Sequence, residues 1–384
     1  MRKTTIAVLA VAIVCLTGCR NRSTQSGSSA SKADSRISTL QELVTPKYAE
    51  GYSLKYQDGI CLVDLQDPQK EESQTFHYAL ISRGSDKSQV PSDYTPVEVP
   101  ISSVICMTSL QLSNFIALGK TDAVKGITST RHLFNEEMNR RLEDGRTHKI
   151  GIEGNFDNEV IMGINPDLIL ISPFKRGGYD ALMNVGITLV PHLGYKEMSP
   201  LGQAEWIKFI GLLLGQEEKA NEIFEGIEKR YLALTELTSK VDKRPVVFSG
   251  EIQGGNWYAV GGNSFLARIF NDAGADYFLK DDNHSGGINL DFELVYSQAA
   301  NADYWRIVNS FKGDFSYEEL AKEDTRYTDF RAFKEHGVVY CNMSQRPFYE
   351  SMPMEPDLIL SDFIKAFHPE LLPDYTPKYY EILK

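Results

Sequence analysis

After residue 22 the 384-residue sequence has no cluster of Lys and Arg, and its net charge is −12. Nucleic-acid binding requires clustered cations that neutralise phosphates, so that class of partner is excluded. Cysteine is scarce: five residues, with no CxxC and no Cys/His spacing that would suggest zinc or a redox couple. Neither GxSxG nor HExxH occurs, so an extracytoplasmic hydrolase, the alternative of a different class, lacks its usual nucleophile or metal motif. The pairs Gly254-Gly255 and Gly261-Gly262 are not followed by Gly-Lys-Ser/Thr, so a phosphate-cradling loop of the Walker type is absent and tight turns around Trp257 are expected instead. No internal repeats suggest an adhesion array. Hydrophobic residues make up 42% and charged residues 24%, the proportions of a globular chain, and the length suits two lobes of ~150 residues plus extras.

The N-terminus carries the most specific signal. Arg2 and Lys3 precede an apolar run, Ile6 to Leu16, that is too short to span a bilayer and ends in Leu16-Thr17-Gly18-Cys19. This resembles the lipobox of bacterial lipoproteins. The resemblance implies cleavage before Cys19, lipidation of its thiol and anchoring to a membrane by several acyl chains. Residues 1–18 then form the signal peptide, and loss of Arg2 and Lys3 leaves a mature charge of −14. Residues 19–40, rich in Ser and Gly, read as a flexible tether. The residues after Cys19 are Arg-Asn-Arg-Ser and not acidic, which favours a periplasmic location; inner and outer membrane both stay open. With Cys15 removed and Cys19 acylated, Cys61, Cys106 and Cys341 remain. Buried free thiols are the default for these three, and one disulfide among them stays open.

Patterning divides the rest. Residues 41–97 alternate like short strands, with Asp58-Gly59 as a turn, and form an N-terminal β appendage expected to be antiparallel. Residues 98–198 alternate apolar strands (102–107, 123–127, 149–152, 167–171, 187–190) with helices (110–118, 155–164, 179–185), which predicts a covered parallel sheet. Residues 199–241 have apolar residues at helical spacing, broken at Gly215; the second of the two helices would run ~26 residues, about 39 Å. Residues 242–384 resume the alternation, with strands near 245–249, 257–260, 304–308 and 338–341 and helices over 264–272, 292–299 and 356–367. The fold class is α/β: two Rossmann-like lobes with parallel sheets joined by a single long helix, plus the β appendage.

Over about residues 98–384 the order of elements resembles the iron-chelate and cobalamin family of bacterial substrate-binding proteins. Leu118-Gly119 through Gly126 is similar to the family's first helix and second strand. Glu159 through Asn165-Pro166-Asp167-Leu168 is similar to its "E…L.PDLVL" element, residues 199–207 to its helical crossover, and Gly262-Asn263-Ser264 with Ala273-Gly274-Ala275 to its "GG.S…AGA" element. The resemblance implies import without catalysis by a monomer that takes an iron complex (siderophore or haem) between its lobes and passes it to an ABC permease and its ATPase. Cobalamin is the alternative ligand. No covalent cofactor beyond lipid is implied. Glu159 and Glu293 match the family's exposed Glu on each lobe, which meet Arg pockets on the permease.

In open α/β sheets ligands sit beyond the carboxyl ends of the strands. The loops there offer Arg131, Lys175, Arg176 and Arg346 for anionic oxygens and Phe174, Trp257 and Tyr258 for stacking on a macrocycle. Glu251 lies among them. His132, His192 and His284 are candidate metal ligands, with no ligand set assigned.

Overall fold

The structure, a computed structural model, describes residues 41–70, 73–128, 130–152, 154–172, 182–183 and 186–384. The signal peptide, Cys19 and tether, together with Phe174, Lys175, Arg176 and most of the helix expected over 179–185, lie outside the described residues.

The appendage is a four-stranded sheet, β1 (Tyr52–Gln57), β2 (Ile60–Leu65), β3 (Phe76–Ser82) and β4 (Thr95–Val99), in sequential order. Asp58 and Gly59 both take positive φ in the β1–β2 turn, the conformation a two-residue hairpin requires. Pairing is antiparallel through β3, but β4 joins β3 in parallel, which corrects the wholly antiparallel expectation. The long link between β3 and β4 gives the chain room to return to the same end of the sheet.

The first lobe contains β5 (Val104–Cys106), α1 (Ser109–Leu118), β6 (Val124–Ile127), α2 (Glu136–Glu143), β7 (His148–Lys149), the small hairpin β8 (Gly151–Ile152) and β9 (Asn155–Phe156), α3 (Asn158–Ile164), β10 (Leu168–Ile171) and β11 (Leu189–Pro191). Its sheet has the order β11-β10-β5-β6-β7, parallel throughout. All four residues of β10 are buried, as a strand covered on both faces requires. Thr108 and Gln111 form a capping box that starts α1, and Gly119 in the left-handed region ends it. The expected strand over 149–152 is split instead between β7 and the hairpin, because Gly151 turns the chain at positive φ.

The crossover is two helices packed side by side. Every residue of α4 (Pro200–Leu214) is buried; Ser199 caps it, Pro200 opens it, and Gly215 at φ 62° closes it. The long strut is α5 (Glu217–Thr238), 22 residues and so about 33 Å.

The second lobe contains β12 (Val246–Ser249), β13 (Glu251–Gln253), β14 (Asn256–Val260), α6 (Phe265–Asp272), β15 (Asp276–Tyr277), β16 (Gly287–Leu290), α7 (Phe292–Ala299), β17 (Tyr304–Asn309), α8 (Tyr317–Glu323), α9 (Arg331–Lys334), β18 (Val338–Asn342), α10 (Phe348–Ser351), α11 (Pro356–Phe367) and β19 (Glu381–Ile382). The main sheet has the order β15-β12-β17-β18-β19, parallel except for β19. The strand bearing Trp257 is not part of it: β14 pairs antiparallel with β13 and β16 in a separate ribbon.

The segment before β1 and the segment before β19 are both fastened by buried carboxylates. Glu205, on α4, accepts from the backbone N–H groups of Lys47, Tyr48 and Ala49 at 2.6–2.9 Å and from Lys208 Nζ at 2.9 Å. Glu197 accepts from Glu50 N, Gly51 N and Trp206 Nε1. Asp362, on α11, accepts from Lys378 N, Tyr379 N, Tyr380 N and the Tyr375 hydroxyl at 2.7–2.9 Å. Cys61, Cys106 and Cys341 are buried free thiols. No helix among the described residues is long and apolar enough to cross a membrane.

Candidate functional site between the lobes

The carboxyl ends of β5, β6 and β10 and of β12, β17 and β18 form the two rims where an α/β ligand would sit. On the first rim Gln111 Oε1 accepts from Met107 N at 2.7 Å while its amide donates to Ser172 Oγ at 3.3 Å, which ties the start of α1 to the end of β10. The Thr128 hydroxyl donates to Met107 O at 2.6 Å and ties β6 to β5. Arg131 follows, exposed, and His132, half-buried. His132 Nε2 lies 3.3 Å from Ser310 Oγ of the second lobe, so the rims meet here. Burial, and then the Arg131 charge, lower the His132 pKa.

His192 does not join it. The imidazole is 5% exposed, its ring centroid is 4.7 Å from that of Trp206, and its Nε2 lies 3.3 Å from Asn114 Nδ2. Burial pushes its pKa down to about 4. It is a neutral packing group of the first lobe, which corrects its candidacy as a ligand.

On the second rim Glu251 lies two residues past the end of β12, at the start of β13, and is half-buried. Asn309, at the end of β17, donates from Nδ2 to Glu251 Oε1 at 3.4 Å and accepts from the Tyr340 hydroxyl at 2.8 Å. Burial first, and the neighbouring Glu323 second, raise the Glu251 pKa to about 7. Sequence reasoning passed over Tyr340 and Glu323, since one looks like a strand residue and the other like a helix-face acid; the β17–β18 register brings Tyr340 here, and Glu323 comes from the end of α8.

Trp257 is fully buried, packed among Phe248, Trp305, Tyr327 and Phe330 at centroid distances of 5.7–5.9 Å, with Nε1 donating to Ser249 O at 2.9 Å. It offers no face to a ligand, a second correction. The period-two alternation of β14 puts Trp257 inward and leaves its neighbour Tyr258 41% exposed. His284 is exposed and held by Asp282 at 2.7 Å, and Arg346 pairs with Glu381 at 2.8 Å. The three histidines do not converge: among the described residues no group of three or more His, Cys, Asp or Glu could hold a metal ion. A cavity of about 760 Å³ opens beside Pro245, Asp303 and Gly337, at the amino ends of the second-lobe strands and so away from the rims.

Glu159 and Glu293 occupy matching positions. Each is exposed at the second residue of a short helix, α3 or α7, behind an aspartate at the N-cap, Asp157 or Asp291. There the helix dipole favours a carboxylate. Exposed apolar residues lie one turn on in each case: Met162 after Glu159, Tyr296 after Glu293.

Comparison with known proteins agrees with this geometry. Residues 104–344 match the family described as periplasmic binding protein. Two uncharacterised lipoproteins of Methanocaldococcus jannaschii are 27% and 26% identical; the matches cover 74% and 88% of this chain and 69% and 86% of theirs. Among solved structures, a periplasmic haem-binding protein from Pseudomonas aeruginosa aligns with a TM-score of 0.59 at 16% identity, over 74% of this chain and 98% of its own. One described as an ABC-type Fe3+-hydroxamate transport system, from Saccharomonospora viridis, aligns at 0.55 and 20% identity, over 70% and 94%. With well over half its length matched, the chain belongs to the periplasmic binding protein family of the iron-chelate and cobalamin type, whose members are ligand-binding transport proteins.

Proposed function

We propose that this protein is the solute-binding lipoprotein of an ABC importer, which captures an iron complex, a siderophore or haem, between its lobes and delivers it unchanged to a permease. The observation that carries the reading is the meeting of the two rims: the Arg131–His132 loop of one lobe stands against Ser310 of the other, beside Asn309 and Glu251. Arg131 supplies a cation for anionic chelate oxygens, Tyr258 an exposed ring, and Glu251 a polar floor. Acyl chains on Cys19 hold the molecule outside the cytoplasm, and the relatives named as lipoproteins support that placement.

Titration of the purified protein with haem, a ferric trihydroxamate, a ferric tricatecholate and cobalamin, followed by visible absorbance, tests the reading. One of the iron complexes should bind with a 1:1 end point. Saturation by cobalamin alone would move the assignment to a corrinoid, and no binding by any of the four would remove it.

Glu159 and Glu293 serve as the docking pair, one per lobe, each able to accept a bidentate Arg from the permease. Changing both to Arg should abolish uptake with ligand affinity intact. Joint loss of binding and uptake would refute the docking role.

A further inference from the structure

Besides α5, the chain crosses between the lobes a second time. After β18 it leaves the second lobe; α10 and the 3-10 turn Met352–Met354 pack on α1 and α4 of the first, and α11 then returns to α5 and α6. Glu350 sits on this crossing, 2% exposed. Its Oε2 accepts from the backbone N–H of Phe134 at 2.9 Å, and the N–H of Asn135 also bonds to the carboxylate. A carboxylate stripped of water persists only where such donors replace it. Among the described residues no cation pairs with it, so its partners are these backbone donors.

The donors are significant because of where they lie. Phe134 and Asn135 follow Arg131 and His132 with only Leu133 between, and Asn135 is also the N-cap of α2, accepting from Met138 N at 3.0 Å. The rim loop of the first lobe is therefore fixed at its far end by a side chain from the second half of the molecule, and at its near end by Thr128. A loop held at both ends loses less freedom when a ligand arrives.

Resting on the reading of the cleft as a chelate site, we infer that Glu350 is a positioning residue for ligand capture: from the second crossing it sets the loop 130–135 so that Arg131 and His132 face Ser310. It touches no ligand itself. Its effect passes through the loop, as a supporting shell acts through the groups it orients.

The test uses the full chain and whichever of haem, ferric trihydroxamate, ferric tricatecholate or cobalamin the wild type binds. Glu350→Ala should weaken that probe about tenfold or more and speed hydrogen exchange at the amides of Phe134 and Asn135. Glu350→Gln, which keeps one acceptor oxygen, should restore affinity to within about threefold of wild type. In a cycle with His132→Ala, the double variant should lose little beyond the larger single loss, since both act through one loop. Faster exchange with unchanged affinity would overturn the positioning role, and so would losses that add. Unchanged exchange in a folded Glu350→Ala protein would overturn the hold itself. If no probe binds the wild type, the chelate reading fails and this inference falls with it, although the exchange rates would still report the contact.

Discussion

Two ionisable side chains, one from each lobe, contrast in their burial: His192, packed behind the rim of the first lobe, and Glu251, on the rim of the second. Burial drives both towards the neutral form, and the consequences for stability have opposite sign. The folded pKa of His192 is lowered to about 4, so between 6.5 and 4 the unfolded chain binds more protons and the first lobe loses stability as pH falls. The folded pKa of Glu251 is raised to about 7, so between 4.5 and 7 the folded chain binds more protons and the second lobe loses stability as pH rises. His192 is sealed against Trp206, whereas Glu251 is open in part to the cleft. Of these two groups, only Glu251 changes charge near neutral pH.

The crossover and the second lobe also differ in how each fastens a neighbouring segment, and here the largest effects are expected. Removing Glu205 would orphan three backbone N–H groups and leave the Lys208 ammonium, 7% exposed, without its partner. Removing Asp362 would orphan three backbone N–H groups but strand no charge, and the Tyr375 hydroxyl would keep Leu358 O as an acceptor at 3.2 Å. Glu205→Ala should thus cost about 3–5 kcal/mol and Asp362→Ala about 2–4 kcal/mol, read by denaturant unfolding. Replacing Lys208 by Met together with Glu205→Ala should recover part of the difference. Equal costs for the two single variants would mean that the buried ammonium contributes nothing to the contrast.

His192 gives the next effect. Lowering the pKa of a sealed imidazole from 6.5 to about 4 corresponds to about 3 kcal/mol, lost between pH 6.5 and 4. His192→Gln should remove this loss, leaving a flatter acid limb in an unfolding series, with ligand affinity unchanged. A weakened affinity in that variant would return His192 to the cleft.

Legibility followed the range of the interaction. Helices α7 and α11 begin and end where the sequence predicts, because Asp291 and Pro356 are local start signals and the apolar spacing is intrinsic to each segment. Glu159 and Glu293 are pointed to by the family resemblance and not by a local signal; each stands at the second residue of its helix. Whether β4 would lie parallel or antiparallel to β3 could not be read, since pairing is settled across a loop. Trp257 misled because an aromatic beside glycines reads equally well as a stacking platform or a core residue; only the ribbon's alternation decides. Glu205, Glu350 and Asp362 look like ordinary helix-face acids. Their backbone partners lie 16 to 216 residues away in sequence, so no local pattern marks them.

The smallest effect sharpens the contrast most. Glu251 is half-buried, so its raised pKa corresponds to a modest penalty, about 1–2 kcal/mol once ionised. Glu251→Gln should therefore leave stability at pH 5 nearly unchanged and raise it by that amount at pH 8. Glu323→Gln, which removes the neighbouring like charge, should shift the Glu251 midpoint below 7 without abolishing it. The Arg306 charge acts in the opposite direction, and the hydroxyls of Tyr327 and Tyr340 stay protonated throughout because burial holds their pKa values above the usual tyrosine range. If Glu251→Gln lowered stability at pH 8, the carboxylate would have to be a favourable acceptor for Asn309 and not a strained charge, and the opposed pH signs of the two lobes would disappear.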